Sequence, residues 1–208
     1  MSDASVLPVL HALRLRSFAT AEVVSDRTGL EPEVVQTTLK ECAEAGWTRF
    51  REGRLTGWAL TTEGRTHAEG LLADELDAAG ARASVEAAYR GFLALNGELL
   101  SICTDWQVVV VDGEETVNEH ADADHDAAVL ERLDALHAGS RPVTADLAAT
   151  LARFGGYPRR LDDAHERVRS GDQDWLTRPM IDSYHTVWFE LHEDLLATLG
   201  RERSQERT

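Results

Sequence analysis

The sequence lacks the features that mark exported, disulfide-bonded and membrane-spanning proteins. It has no run of 18 apolar residues, and its first thirty residues lack the basic start, apolar middle and small-residue cleavage site of a secretory signal. Its two cysteines, Cys42 and Cys103, are too few and too far apart for a disulfide framework or a zinc knuckle. We therefore expect a cytoplasmic protein with reduced, packed thiols and no membrane partner. A redox switch at Cys103 is the alternative.

Motifs for catalysis and for cofactor binding are also missing. The chain has no glycine pattern of a Walker or dinucleotide loop and no GxSxG nucleophile motif. The segment DADHD at 122–126 begins like a calcium loop, but Ala127 and Leu133 replace the glycine and glutamate that such a loop requires. We predict no cofactor, no metal and no enzymatic activity. The alternative is an enzyme that uses His185 and His192 as acid and base.

Charge is distributed unevenly along the chain. The formal net charge is −16, yet residues 1–66 hold 8 basic and 9 acidic side chains, while the rest of the chain holds 13 and 28. Such asymmetry indicates a near-neutral module that can approach a polyanion and an acidic module that cannot. We predict one domain at 1–66, an acidic helical domain at 67–200 and a disordered tail at 201–208.

The first 66 residues have the pattern of three helices and a hairpin. Apolar residues recur at helical spacing, Thr20 suits a helix N-cap, Gly29 suits a helix end, and Pro32 suits a first turn. A basic stretch rich in aromatic and aliphatic residues follows, with a glycine where a tight turn would lie. The predicted helices are 5–16, 21–29 and 31–45, and the predicted strands are 47–51 and 55–60.

The stretches LEPEVVQTTLKECAEAGW and WALTTEGR, separated by the basic hairpin, resemble the winged-helix transcription regulators of the MarR-like and related bacterial families. The resemblance covers roughly residues 5 to 80. It implies an N-terminal winged helix of three helices and a β-hairpin wing. Together with the all-α helical bundle that the second part of the sequence predicts, the expected fold is mainly α. The resemblance also implies a homodimer that binds double-stranded DNA.

DNA contacts are expected on the third helix and on the wing. The N-terminal half of a helix in the major groove presents side chains to base edges, so we expect Gln36 to bond adenine and Thr37 to contact a thymine methyl or a phosphate. Arginine at the wing tip, Arg54, suits the minor groove. A solvated basic face is the alternative. The predicted DNA-binding residues are Glu33, Gln36, Thr37, Lys40, Arg49, Arg51, Arg54 and Arg65.

The second part of the chain reads as a bundle of about five helices, without an evident internal repeat. The long segment 83–106 suits a dimer contact or, equally, an ordinary core helix. The run VVVVDGEETV is either a small hairpin or an exposed loop. The pattern predicts a helix at 127–138 closed by GSRP and a separate helix after it. The last helix is expected at 183–200.

An effector pocket is predicted between the long helix and the last helix. His185, Trp188 and His192 share one helical face, and bundles bind ligands between facing helices. Core aromatics with hydrogen-bonded histidines are the alternative. The predicted ligand-binding residues are Tyr89, Asn96, Asp105, Trp106, His185, Trp188 and His192.

These patterns together predict a transcription regulator that binds operator DNA as a homodimer and responds to a small-molecule effector in its helical domain. A protein-interaction module, in which the acidic bundle binds a basic partner without DNA binding, is the alternative.

Overall fold

The protein is mainly helical, with two short antiparallel hairpins, in a computed structural model that describes residues 3–54 and 56–203. The α-helices are α1 Asp3–Arg16, α2 Ala21–Thr28, α3 Pro32–Glu44, α4 Thr62–Ala78, α5 Arg82–Gln107, α6 Ala123–Thr150, α7 Gly156–Arg169, α8 Asp174–Thr177 and α9 Tyr184–Leu199, with a 3-10 turn at Ala152–Gly155. The strands are β1 Thr48–Arg51, β2 Gly57–Leu60, β3 Val108–Val111 and β4 Glu114–Val117. Leu55, expected in the second strand, and residues 204–208 of the expected tail lie outside the described residues.

The chain divides into two compact units, and the division differs from the expected boundary after residue 66. The first unit runs to Arg82 and also includes the chain from Glu193 onward, whereas the second unit is Ala83–His192. The difference arises because α4 buries Ala68, Leu72 and Leu76 at successive turns, and Ala68 joins the core of the first unit. Within the described helices, none is long and apolar enough to cross a membrane.

The core of the first unit is built from α1, α2 and α3. Val9, Leu13, Val35 and Leu39 are fully buried in one cluster, against which Trp58 of the hairpin packs. Thr20 caps α2 by accepting a hydrogen bond from the Val23 amide, and Gly29 ends the helix with a φ of 70°. Helix α2 therefore ends at the predicted glycine, and a tight turn connects it to α3.

The first hairpin is fastened to the chain in front of α2. Strands β1 and β2 pair antiparallel, with Phe50 opposite Trp58. The Ala19 amide donates to the Trp58 carbonyl at 3.0 Å, and the Trp58 amide donates back to the Ala19 carbonyl at 2.8 Å. A Cβ at Gly57 would lie 2.7 Å from the Ala19 carbonyl oxygen, so this close approach requires glycine.

The segment 60–65 joins the hairpin to α4 through several hydrogen bonds. The Thr61 side chain caps α4 by accepting from the Gly64 amide at 2.9 Å, and the same hydroxyl donates to the Gly46 carbonyl at 2.7 Å. The Thr61 amide donates to the Trp47 carbonyl at 3.0 Å. The His67 ring then stacks on Trp47 with 3.7 Å between centroids. Each end of the hairpin is thereby tied to the start of α4.

The second unit contains one long helix where the sequence predicted two. The stretch GSRP does not end the helix: α6 continues through Pro142 to Thr150, so the predicted break is wrong. Tertiary packing keeps the helix intact, because α6 is buried on both sides of the proline, at His137 and Ser140 before it and at Thr144 and Leu147 after it. The proline removes one helical hydrogen bond without ending the helix.

The run VVVVDGEETV forms the hairpin β3–β4, which was one of its two expected structures. Val111 pairs with Glu114 across a two-residue turn at Asp112 and Gly113, whose φ values are 54° and 86°. Positive φ at both turn positions is the type I′ geometry that Asp-Gly favours. Val110 and Val117 remain largely exposed on this hairpin.

Candidate nucleic-acid interface

Helix α3 separates an apolar face from a polar face. Val35, Leu39 and Cys42 are fully buried at i, i+4 and i+7. The four predicted DNA-contacting side chains of this helix are all exposed, and their spacing of three, four and seven residues aligns them in one stripe. They are Glu33, Gln36, Thr37 and Lys40. The helix therefore presents a continuous polar stripe about two turns long to solvent.

Two buried hydrogen bonds fix the position of α3. The Thr38 and Ser5 hydroxyls share a hydrogen bond of 2.9 Å between α3 and α1. The Thr48 hydroxyl donates to the Leu39 carbonyl at 2.9 Å, which ties α3 to the first strand of the hairpin. A recognition surface is most specific when rigid elements carry it. Here α3 is held from both sides while its polar stripe stays free.

The hairpin carries exposed arginines that do not pair with acids. Arg49 and Arg51 lie on β1, Arg54 lies at the turn, and Arg65 lies in the first turn of α4; all four are exposed. Within residues 3–54 and 56–203, none of these four side chains forms an ion pair with a carboxylate. By contrast, Arg14 of the same unit bonds a carboxylate at 2.6 Å. An unpaired guanidinium can neutralise a phosphate without first breaking a salt bridge.

The acidic side chain at the start of α3 has a structural explanation. Glu33 lies in the first turn, and Glu31 occupies the N-cap position without a side-chain capping hydrogen bond. The partial positive charge of a helix N-terminus favours a carboxylate there. Glu33 thus stabilises the helix whether or not it also contacts a base.

Four of the predicted ligand-binding residues meet in the second unit and fill the space between α5 and the first half of α9. The Trp188 ring nitrogen donates to the Asn96 side-chain oxygen at 3.0 Å, and the Tyr89 and His192 rings have centroids 6.4 Å apart. Phe92, which the sequence analysis did not assign to the site, stacks on Trp188 at 4.5 Å. Tyr89, Trp188 and His192 are all nearly fully buried, as expected of core side chains.

The other predicted ligand-binding residues do not join this group. Asp105 lies nine residues beyond Asn96 on α5, which is roughly 13 Å along a helix. Its carboxylate accepts from Arg132 at 2.5 Å, and the neighbouring Trp106 packs on His120 with 4.5 Å between centroids. His185 is half-buried at the start of α9, and burial lowers its pKa. Because α5 is 26 residues long, side chains on the same face of this helix contact different elements at its two ends.

Clefts of ligand size lie elsewhere in each unit. One of about 560 Å³ lies beside the β3–β4 hairpin and is lined by Asp105, Val109 and His125 among others. Another of about 410 Å³ lies within the first unit, where Arg14, Arg65 and Glu69 contribute to its wall. Both volumes fall in the range of small-molecule sites. Asp105 is the predicted ligand residue that borders the first of these clefts.

The two cysteines are buried, and the first aspartate of the DADHD segment caps a helix. Burial raises the pKa of the Cys42 thiol to about 11 and that of the Cys103 thiol to about 12, so both stay protonated at neutral pH. In the DADHD segment, Asp122 caps α6 by accepting from the Asp124 and His125 amides. Across the described part of the chain, no group of three or more His, Cys, Asp or Glu side chains is arranged to hold a metal.

Sequence reasoning missed one cluster of polar side chains on α6 and α7. His137 and His165 stack face to face there, each hydrogen-bonded to an aspartate of the other helix. The signal was present as a short internal repeat, Asp-x2-His-x3-Arg, which occurs at 134–141 and again at 162–169. The expectation of no internal repeat overlooked these eight-residue segments.

Comparison of the chain with family models, with curated proteins and with solved structures found no match. The functional interpretation therefore depends on the geometry of α3 and of the β1–β2 hairpin.

Proposed function

We propose that the protein is a DNA-binding transcription regulator of the winged-helix type, similar in its N-terminal unit to MarR-like regulators. The proposal is supported chiefly by the set of exposed arginines on and beside the β1–β2 hairpin, none of which is paired with an acid among the described residues. This hairpin directly follows the rigidly held α3 with its exposed polar stripe. The order of elements and the placement of charge both suit DNA.

In this proposal α3 enters the major groove and the hairpin contacts the flanking backbone. Gln36 is suited to bidentate hydrogen bonds with adenine, and Thr37 to a thymine methyl or a phosphate. Arg54 at the hairpin turn is suited to a narrow minor groove, while Arg49 and Arg51 neutralise phosphates. Each phosphate neutralised lowers the slope of log affinity against log salt by roughly 0.9. Binding is therefore expected to weaken steeply with salt.

The proposed regulator acts as a homodimer and responds to a small-molecule effector bound in its helical unit. Two recognition helices on one DNA face must lie roughly 34 Å apart, one helical turn of DNA, so that any change in this separation alters affinity. The long helix α5 is the proposed dimer contact, and its exposed Leu93 and Leu100 are available for it. The effector would act by changing the separation of the two α3 helices.

Fluorescence anisotropy with a labelled fragment of the gene's own upstream region tests the proposal on the full chain. The salt dependence is measured for wild type, for Arg54→Ala and for Arg159→Ala, which removes an exposed arginine from α7. We expect saturable binding that weakens steeply with salt, and a lower affinity for Arg54→Ala at each salt concentration, whereas Arg159→Ala matches wild type.

Two outcomes would overturn the proposal. Absence of binding at low salt, to this fragment and to random duplexes alike, favours the protein-interaction alternative with a basic partner for the acidic unit. Equal loss in both arginine variants would mean that only overall charge matters, and that the hairpin does not contact DNA.

A further inference from the structure

Helices α6 and α7 carry the same three polar residues at the same spacing. On α6 they are Asp134, His137 and Arg141, and the Asp-x2-His-x3-Arg pattern is repeated on α7. On α7 the members are Asp162, His165 and Arg169. Spacings of three and four residues place each set along one helical face. We call these six residues the paired cluster.

The two halves of the paired cluster bond across the interface and not within their own helices. His137 Nε2 lies 3.1 Å from Asp162, and His165 Nε2 lies 2.7 Å from Asp134. Each aspartate also faces an arginine, with Arg141 at 3.9 Å from Asp162 and Arg169 at 3.7 Å from Asp134. The arrangement has approximate two-fold symmetry, as expected when two antiparallel helices present the same motif to one another.

The two imidazoles meet at the centre of this arrangement. Their centroids are 4.1 Å apart and their planes differ by 7°, so the rings stack in parallel. On the far side of His137, its Nδ1 lies 3.3 Å from the hydroxyl of Tyr184, a fully buried residue of α9. A neutral imidazole that donates through Nε2 accepts through Nδ1, so this hydroxyl can donate to the ring.

Protonation changes each of these contacts. One proton on the stack converts a hydrogen bond to an aspartate into an ion pair, and the cluster tolerates it because the carboxylate is already in place. A second proton places two cationic rings 4.1 Å apart in a partly buried setting. Both ring nitrogens of a protonated His137 are donors, so its hydrogen bond with Tyr184 must reverse and the hydroxyl must accept.

The direction of titration agrees with this geometry. Burial lowers the pKa of His137, followed by the neighbouring His165 and by Arg141, while Asp162 opposes the change. The charged and titratable groups that face the two rings come from all three packed helices. They are Asp134 and Arg141 on α6, Asp162 and Arg169 on α7, and Tyr184 on α9.

We propose that the α6–α7 contact is a proton-responsive switch, closed while the stacked pair His137–His165 holds at most one proton and loosened when it takes up the second. The inference concerns the second unit alone and does not depend on DNA binding. It assigns the protein a response to acidification whose sensor is the paired cluster.

An NMR titration of the full chain, observing the imidazole Cε1 protons, tests the coupling of the two rings. We expect the pair to titrate in two macroscopic steps more than about one pH unit apart. In His165→Phe, which keeps an aromatic ring against His137, a single step should remain. His125→Gln, which removes a histidine bonded elsewhere in the same unit, should leave both steps unchanged. Two independent curves with the same midpoint in wild type would overturn the proposal.

Hydrogen exchange tests whether the second proton loosens the helices. After correction for intrinsic rates, amides of α7 should exchange at least about tenfold faster at pH 5 than at pH 7.5, equivalent to roughly 1.4 kcal/mol. His165→Phe should abolish this difference, whereas His125→Gln should retain it. The proposal would be overturned if the protection of α7 amides in wild type did not depend on pH. It would also be overturned if all three proteins lost protection equally at pH 5, because the cluster would then only hold the helices together.

Discussion

Replacing Gly64 by alanine should separate the β1–β2 hairpin from α4. A Cβ at this position would lie 1.9 Å from the Trp47 carbonyl oxygen and 2.9 Å from the Trp47 Cα, which are backbone atoms that no rotamer change can move aside. The chain must shift by roughly 1.5 Å to restore an ordinary contact, because tight real Cβ contacts begin near 3.0–3.4 Å.

A shift of this size would break three hydrogen bonds around Gly64. They are the Thr61 amide to the Trp47 carbonyl at 3.0 Å, the Gly64 amide to the Thr61 hydroxyl at 2.9 Å, and that hydroxyl to the Gly46 carbonyl at 2.7 Å. At roughly 1 kcal/mol each, their loss costs about 3 kcal/mol, while alanine in a helix regains about 1. We expect the free energy of unfolding of Gly64→Ala to fall by about 2 kcal/mol, some thirtyfold in the folding equilibrium.

The chain supplies a matched control on the same helix. Gly70 of α4 is exposed, and a Cβ there would meet nothing within 4 Å, so Gly70→Ala should raise the free energy of unfolding by about 0.5–1 kcal/mol. Urea unfolding followed by circular dichroism measures both changes, and hydrogen exchange of the β1 and β2 amides localises the first. A Gly64→Ala midpoint at or above wild type, or equal shifts in both variants, would refute the reasoning.

Three further predictions follow from burial. Phe92→Ala should lower the free energy of unfolding by about 3–5 kcal/mol, because this fully buried ring stacks on Trp188. Met180→Ala, at a 93% exposed position of the same unit, should change it by less than about 0.5 kcal/mol, and similar urea midpoints for the two variants would contradict this. Burial raises the pKa of the Cys42 and Cys103 thiols to about 11 and about 12, so neither should react with a thiol reagent at pH 8 until urea unfolds the chain, and rapid native labelling would count against it. Burial lowers the pKa of His185 in the folded protein, so the unfolded chain binds a proton at this residue more tightly. The stabilising contribution of the neutral His185 is therefore complete above about pH 6.5, the ordinary pKa of histidine, and is lost as the pH falls toward the lower pKa of the folded state. The urea midpoint should therefore depend less on pH between 7.5 and 5.5 in His185→Gln, and an unchanged slope would disprove this.

Local rules predicted the helices α2 and α3 well, because the ends of these helices depend on residues that are neighbours in the sequence. Thr20, Gly29 and Pro32 act within one helical turn, and the structure places α2 and α3 where these residues indicated. The reason for glycine at position 64 was not predictable from spacing alone, since it depends on a carbonyl seventeen positions earlier in the chain. Whether α3 and the hairpin contact DNA stays a prediction.

Long-range packing accounts for the features of the structure that the sequence did not predict. The GSRP stretch has the composition of a break, but α6 passes through it because the helix is buried both before and after Pro142. The ligand residues were chosen by their shared helical stripe, and a stripe 26 residues long contacts different partners at its two ends. The paired cluster escaped notice because its bonds cross between helices, and periodicity describes one helix at a time.

The assignment of the chain beyond Glu193 to the first unit reverses the usual order of maturation during synthesis. Asp194 is buried beside His11 at 3.0 Å, so this unit is completed by residues that are synthesised after the whole second unit. The second unit, contiguous from Ala83 to His192, is fully synthesised earlier. Domains generally fold as units as they emerge, so the second unit can reach its native state before the chain from Glu193 onward completes the first unit. A nascent chain that has emerged only as far as His192 would thus hold a finished second unit and an unfinished first one.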